Sequence, residues 1–255
     1  MASVDSFIQR EFCGFPFLDL AFSERRLLTA VACVRWNLIS QTDSAPNTEQ
    51  LQDVLRPQTA LSIRRRELEL PIPGSPLPAD HRARIDEALA AISETIPEWK
   101  PLLQLPVRFL RLDDANGAIG ASCYAWPQHI LLGDDAFASP CELAEQVLHE
   151  ISHNWLYLVE ELRALQHHDC GHTLTLPSGT GGRDPDEILG AVHVVLNVRR
   201  LWSGLPVPDE QRQRRLEDLD TYLEGCLPLL DAARTCLTED GQALADRLLQ
   251  EAVAA

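Results

Sequence analysis

The sequence predicts a predominantly helical α+β protein, with a small antiparallel sheet beside a helix that carries an H-E-x-x-H motif. Three observations predict it. Long stretches repeat apolar residues three and four apart, as one buried helix face requires. Short runs of strand character interrupt them between residues 105 and 133. A strong helix start, Ser139-Pro140-Cys141-Glu142, then opens the segment that holds His149-Glu150-Ile151-Ser152-His153.

In chain order, Leu27, Leu28, Val31, Val34 and Leu38 recur at helical spacing between Ser23 and Ile39. A polar loop, QTDSAPNTEQ, follows. PIPGSPLP, at residues 71–78, is the strongest break in the chain. Either it separates a helical N-terminal cap (residues 1–100) from a metal-binding catalytic region (residues 101–255), or it is a surface loop of one continuous domain. A helix is expected from about Pro78 to Ile96, with Ile85, Leu89 and Ile92 on one face. LPVRFLRL then alternates apolar and basic residues, as a half-buried strand does. ASCYAW and HILLGD read as two more short strands.

Ser139 is a natural cap, Pro140 suits the first helical position, and Glu142 completes a capping box. Leu148, Ile151, Trp155, Leu158 and Leu162 carry that helix past Leu162. A polar, glycine-rich loop runs from about Gln166 to Arg183. Asp184-Pro185-Asp186-Glu187 repeats the start chemistry for a helix to about Trp202, which Gly204 and Pro206 stop. One or two acid-rich amphipathic helices begin near Asp209.

Composition narrows the function. At 45% hydrophobic and 24% charged, the 255 residues have the balance of a soluble globular protein. No apolar run approaches the roughly 20 residues that cross a bilayer. The beginning, MASVDSFIQREF, lacks the basic-then-apolar pattern of an export signal. The expectation is therefore a cytoplasmic protein with no membrane partner. Thirty-eight acids against 22 bases give a net charge of −16, which argues against nucleic acid as a partner. The seven cysteines include no C-x-x-C pair and are expected to be reduced core thiols, with Cys170 set apart by its polar surroundings. The oligomeric state is left open.

The chemistry centres on His149 and His153. Four apart on a helix, they share one face with roughly 5–6 Å between Cβ atoms, so both imidazoles can reach one divalent ion. Two ligands are incomplete, and the third sets the class. The extended metalloprotease pattern requires a glycine and a histidine where this chain has Leu156 and Val159, and no N-E-x-x-x-D/E pattern follows as in the thermolysin-like class. His193 does follow, in the apolar run ILGAVHVVL, and is the expected third ligand. His167, His168, Asp169 and His172, in the loop before it, are a weaker set of donors. Ser122, Tyr124 and Trp126 are expected to line the site from a strand and contact substrate, a strand there being able to receive a peptide at its edge. Arg183 closes the stretch SGTGG; a guanidinium there suits a carboxylate.

Three segments, GAIGASCYAWPQHILL, LAEQVLHEISHNWL and GGRDPDEILGAVHVVLNVRRLW, together resemble the H-E-x-x-H proteins of peptide modification, which are iron(II)- and 2-oxoglutarate-dependent hydroxylases. The resemblance covers roughly residues 105–205. It implies Fe(II) bound by His149, His153 and His193, the 2-oxoglutarate carboxylate held by Arg183, and hydroxylation of a side-chain carbon, often the β carbon. The substrate is a free amino acid, one held on a carrier protein, or a peptide. Three protein ligands leave three positions on an octahedral iron for 2-oxoglutarate and O2. Glu150 either orients a ligand or water beside the ion or reaches the ion itself. The alternative is a zinc-dependent hydrolase or peptidase with Glu150 as general base.

Overall fold

The computed structural model describes residues 6–40, 45–113 and 117–254. The first five residues, and 41–44 of the expected polar loop, lie outside the described residues. The elements are α1 (Phe7–Phe12), α2 (Glu24–Ile39), α3 (Thr48–Val54), α4 (Pro57–Arg64), β1 (Gly74–Ser75), α5 (Ala79–Thr95), β2 (Arg108–Leu112), β3 (Gly120–Ala121), β4 (His129–Leu132), α6 (Pro140–Glu160), α7 (Pro185–Gly204), α8 (Asp209–Ala233) and α9 (Glu239–Ala254). The protein is a predominantly helical α+β structure. It divides into two compact units, Ser23–Leu162, and Met1–Phe22 with Arg163–Ala255. No boundary falls near residue 100. The break at 71–78 contributes β1 to the sheet, so it lies inside a unit.

Helix α6 organises the first unit. The Ser139 hydroxyl accepts from the Glu142 amide at 3.3 Å and donates to the Glu142 carboxylate at 2.8 Å, and Pro140 sits in the first turn. Thirteen of its 21 residues are buried, far more than one stripe. Helices α2 and α5 pack against it. Buried polar groups on such a helix need partners; the Trp155 indole, for instance, donates to the Leu102 carbonyl at 2.9 Å.

The sheet has the order β1-β2-β4-β3. β1 and β3 are antiparallel to their neighbours, but β2 and β4 run parallel, pairing Arg108 with His129 through Arg111 with Leu132. The sheet is thus mixed, not antiparallel as expected. The physical reason is burial: all four residues of β4, His129 included, are buried, and a strand covered on both faces suits a central, parallel position. The expected strand ASCYAW is also shorter than its apolar content suggests. β3 ends at Ala121, and the chain then turns through Tyr124 to Gln128, whose φ is +60°.

In α2, Leu27 and Val31 are buried as expected, whereas Val34 and Leu38 are 36% and 52% exposed. Arg35 occupies the inward face instead. Its guanidinium meets Glu161 through Nε and Nη2 at 2.8 and 2.7 Å, and Nη1 donates to the Val54 carbonyl and the Gln128 side chain. From the end of the polar loop onward, α3 and α4 form within the region expected to be helical, although α3 already begins inside the stretch read as loop. Asn47 and Gln50 make a reciprocal capping box, and Pro57 opens α4. Their Val54 and Ile63 pack with Ala32 of α2.

In the second unit, α7 starts at a capping box between Asp184 and Glu187 and packs on α8 and α9. α1 contacts α9, and buried Asp240 accepts from the Ile8 amide at 3.1 Å and Arg163 Nε at 3.0 Å. Cys170 and Cys236 form a disulfide, which corrects the expectation of seven reduced thiols. Nothing in the residue pattern marks the pair, because the two residues lie 66 apart and outside any C-x-x-C. Of the free cysteines only Cys226 is buried, and Cys13 is exposed. Among the described residues no helix is long and apolar enough to cross a membrane.

Two stability predictions follow from buried charge. Arg35→Ala removes the two-pronged partner of Glu161, leaving it the more distant Arg64 at 3.5 Å, and is expected to cost about 3 kcal/mol by urea unfolding; a loss under 1 kcal/mol contradicts this. Asp186, half-buried in the first turn of α7, has its carboxyl pushed up to about 6 by burial, from an ordinary 3.8. The fold therefore favours the protonated acid. That contribution is complete below 3.8 and lost as pH rises through about 6. Asp186→Asn is expected to stabilise the protein by about 1–3 kcal/mol above neutrality and by almost nothing at acid pH. Equal effects across the range in thermal unfolding would count against this assignment.

Candidate metal centre

On α6, His149 and His153 stack one turn apart, with ring centroids 5.0 Å apart and planes tilted by 59°. The His149 side chain is 38% exposed, which leaves its ring accessible. Glu150 points inward and is 3% exposed. Its Oε2 accepts from the Ser122 hydroxyl at 2.6 Å, and its Oε1 lies 4.0 Å from His149 Nε2. Burial pushes the Glu150 carboxyl up, while a charge on His149 and the Ser122 hydrogen bond act the other way.

The backbone of β3 reaches this carboxylate because residue 120 is glycine. A Cβ there would lie 2.8 Å from Glu150 Oε1. One turn beyond His153, Tyr157 lies nearly parallel to its ring, with centroids 6.0 Å apart and planes at 15°. The Tyr157 hydroxyl donates to the Ser122 carbonyl at 3.5 Å. Burial raises its pKa strongly, which keeps it a donor. Ser122 is thus held to α6 twice, through its hydroxyl to Glu150 and through its carbonyl to Tyr157. The sequence reading missed Tyr157; its spacing of four from His153 was the available signal.

Tyr124 meets Tyr157 edge-on at 6.2 Å, and the Arg64 guanidinium stacks 4.0 Å over its ring. Trp126, expected to contact substrate, packs in the core with Leu61, Leu110, Leu112 and Leu131, and its indole donates to the Leu70 carbonyl at 3.1 Å. A strand would have pointed Ser122, Tyr124 and Trp126 the same way. The turn after Ala121 separates their roles.

His193 and Arg183 belong to the second unit. His193 is fully buried in α7. Its Nε2 lies 2.9 Å from the Pro16 carbonyl and 3.3 Å from Asn197 Nδ2, and its Nδ1 is buried with no hydrogen-bond partner. Burial lowers its pKa to about 4, against a smaller opposing effect of the Pro16 carbonyl. Arg183 is paired across a short bridge with Leu174, and its Nη1 donates to Glu187 Oε1 at 2.5 Å. His167, His168, Asp169 and His172 are all exposed. Among the described residues, no group of three or more His, Cys, Asp or Glu side chains is gathered for a metal ion. The structure therefore brings together His149, His153, Glu150 and Ser122, with Tyr124 joined to them through Tyr157.

No protein-family model matches the chain, and no curated protein matches it.

Gly120→Ala tests the packing of β3 on Glu150. The only close neighbour of the new Cβ is the end of a flexible side chain, so global stability is expected to fall by less than about 1 kcal/mol. The carboxylate, however, must leave its place, and any metal affinity of the His149–His153 pair should drop about tenfold or more. Unchanged metal affinity by calorimetric titration would show that Glu150's position does not matter to the ion.

Proposed function

We propose that this chain is a non-haem iron(II)- and 2-oxoglutarate-dependent hydroxylase acting on an amino-acid side chain, at the β carbon, of a free, carrier-bound or peptidyl substrate. One observation carries the proposal: two imidazoles, His149 and His153, lie side by side on one face of a deeply buried helix, beside a carboxylate that a serine holds in place. The donor chemistry suits iron, because imidazole nitrogens are among its common ligands and the His149 and His153 rings lie 5.0 Å apart on one helix face. With 2-oxoglutarate, bound iron supplies the oxidising power to hydroxylate an unactivated carbon, leaving succinate and CO2. The resemblance of three chain segments to such hydroxylases supports the choice of co-substrate.

Under this reading His149 and His153 hold the ion from α6, and His193 keeps the role of third ligand that the resemblance of the sequence implies. The Ser122 hydroxyl donates to the Glu150 carboxylate and holds it with Oε1 4.0 Å from His149 Nε2, where its charge lies beside the ion-binding ring. Arg183 binds the co-substrate carboxylate, exchanging Glu187 for it. Tyr124, half-buried beside Tyr157, borders the substrate.

A second reading is a zinc-dependent hydrolase, favoured by the burial that raises the Glu150 carboxyl toward proton uptake. Glu150 is then the general base that takes a proton from the attacking water.

The deciding experiment mixes the protein with Fe(II) and 2-oxoglutarate without air. A weak visible absorption band is expected, and succinate on admitting O2. His149→Ala and His153→Ala should each abolish both while the circular dichroism stays helical. Absence of band and succinate in a protein that purifies with zinc overturns the hydroxylase in favour of the hydrolase.

A further inference from the structure

Arg64, the last residue of α4, stands beside the candidate site and takes no part in the chemistry proposed so far. Its side chain is 13% exposed, so its charge is largely withdrawn from water. A guanidinium in that position is costly unless a carboxylate meets it closely with two prongs. Two carboxylates lie near Arg64, each 3.5 Å away: Glu67 from Nη1 and Glu161 from Nη2. Glu161 is already gripped by both prongs of Arg35, at 2.7 and 2.8 Å. Glu67 is 59% exposed, and a loose surface pair of this kind contributes little. Arg64 thus carries more charge and more N–H groups than these two contacts use.

Its other neighbour is aromatic. The guanidinium lies 4.0 Å over the Tyr124 ring, whose face attracts a cation but offers no lone pair to its N–H groups. Burial raises the Tyr124 phenol against the opposing charge of Arg64, so the hydroxyl keeps its proton. Arg64 and Tyr124 together offer an anion a fixed positive charge and a neutral donor.

From there a row of rings leads to the motif within the same unit. Tyr124 meets Tyr157 edge-on at 6.2 Å, and Tyr157 lies nearly parallel to His153 at 6.0 Å. All three side chains belong to half-buried residues, so each retains some surface. Glu161, which marks the level of Arg64 just past the end of α6, lies eight residues beyond His153, or about 12 Å along the helix axis. Extended chain covers that distance in roughly four residues. A free amino acid does not.

We propose that Arg64 and Tyr124 form a carboxylate subsite for an extended peptidyl substrate whose reacting residue lies at His149 and His153. The carboxylate, from an acidic side chain or from the peptide's C-terminus, takes the place of Glu67 on Arg64. This rests on the reading of α6 as the reacting centre, and it selects the peptide from the substrate classes given above.

The test titrates the full, metal-free chain, carrying 13C-labelled tyrosine and histidine, with capped peptides. Acetyl-tetraalanine presents a terminal carboxylate, its amide presents none, and the same amide ending in aspartate presents an acidic side chain. At least one carboxylate peptide is expected to shift the ring signals of Tyr124, Tyr157 and His153 together, and the tighter of the two identifies the source. The neutral amide should bind about tenfold more weakly or worse. Arg64→Gln should erase that preference. Glu67→Gln, which removes a competing carboxylate from the surface, should tighten carboxylate binding about threefold. An Arg64 that merely supports the fold would alter charged and neutral peptides alike. The proposal is overturned by a neutral amide that binds as well as the charged peptides, by N-acetylalanine binding as tightly as the tetrapeptide, by a preference that survives Arg64→Gln, or by Glu67→Gln without effect. No metal or co-substrate enters the titration, so the two readings fail separately. A carboxylate preference in a protein that gives neither absorption band nor succinate leaves the subsite and removes the hydroxylase. Succinate without that preference removes the subsite and leaves the hydroxylase.

Discussion

Burying helix α6 is the constraint from which the first unit follows. A helix hidden on several sides cannot leave its polar side chains to water, and each needs a partner from elsewhere in the chain. Trp155 finds the Leu102 carbonyl, Glu150 finds Ser122, and Glu161, at the helix end, finds Arg35 of α2. These partners come from a 3-10 turn, the segment after β3 and a distant helix. Satisfying α6 is thus the same act as assembling the unit. His149 differs from these, its side chain 38% exposed while its neighbour in sequence is sealed.

The juxtaposition of an accessible His149 and a sealed Glu150 divides labour on adjacent residues. The helix turns consecutive side chains about 100° apart, so one can face a ligand while the next is clamped. The clamp depends on a glycine at 120 and a hydroxyl at 122, two small residues that let the sheet edge come close. Tyr157 extends the arrangement by one turn, fastening the Ser122 backbone and flanking His153. A positioned carboxylate beside paired imidazoles is costly to bury, and such costs are characteristic of functional rather than purely structural sites.

Legibility in the sequence followed the range of the interactions. The starts of α6 and α7 were readable because Ser139 with Glu142, and Asp184 with Glu187, act within a single turn. The same chemistry at Asn47 and Gln50 was equally local but hidden inside a stretch read only as polar. Strand direction was not readable from β2, although the apolar run Ile130-Leu131-Leu132, without polar alternation, was a sign of a central strand. The inward Arg35 displaced Val34 and Leu38 from the expected face, since its partner Glu161 lies 126 residues away. Of the candidate site, the motif on α6 was legible, whereas Ser122 was read as a substrate contact and its hydrogen bond to Glu150 was not foreseen. The turn that assigns Trp126 to the core was not, and neither was the Pro16 carbonyl, because a backbone group leaves no mark in the residue alphabet.

The bond between Cys170 and Cys236 also encloses two whole helices, α7 and α8, in one covalent ring. Closing a ring of 66 residues removes about 4 kcal/mol of chain entropy from the unfolded state. It also changes what a single cut can do. A protease that nicks the exposed loop around Ser178, or the junction near Pro206, yields two pieces that still travel as one molecule until a thiol is added. The segment bearing Arg183 and His193 is accordingly tethered at both ends, and damage within it does not by itself release it.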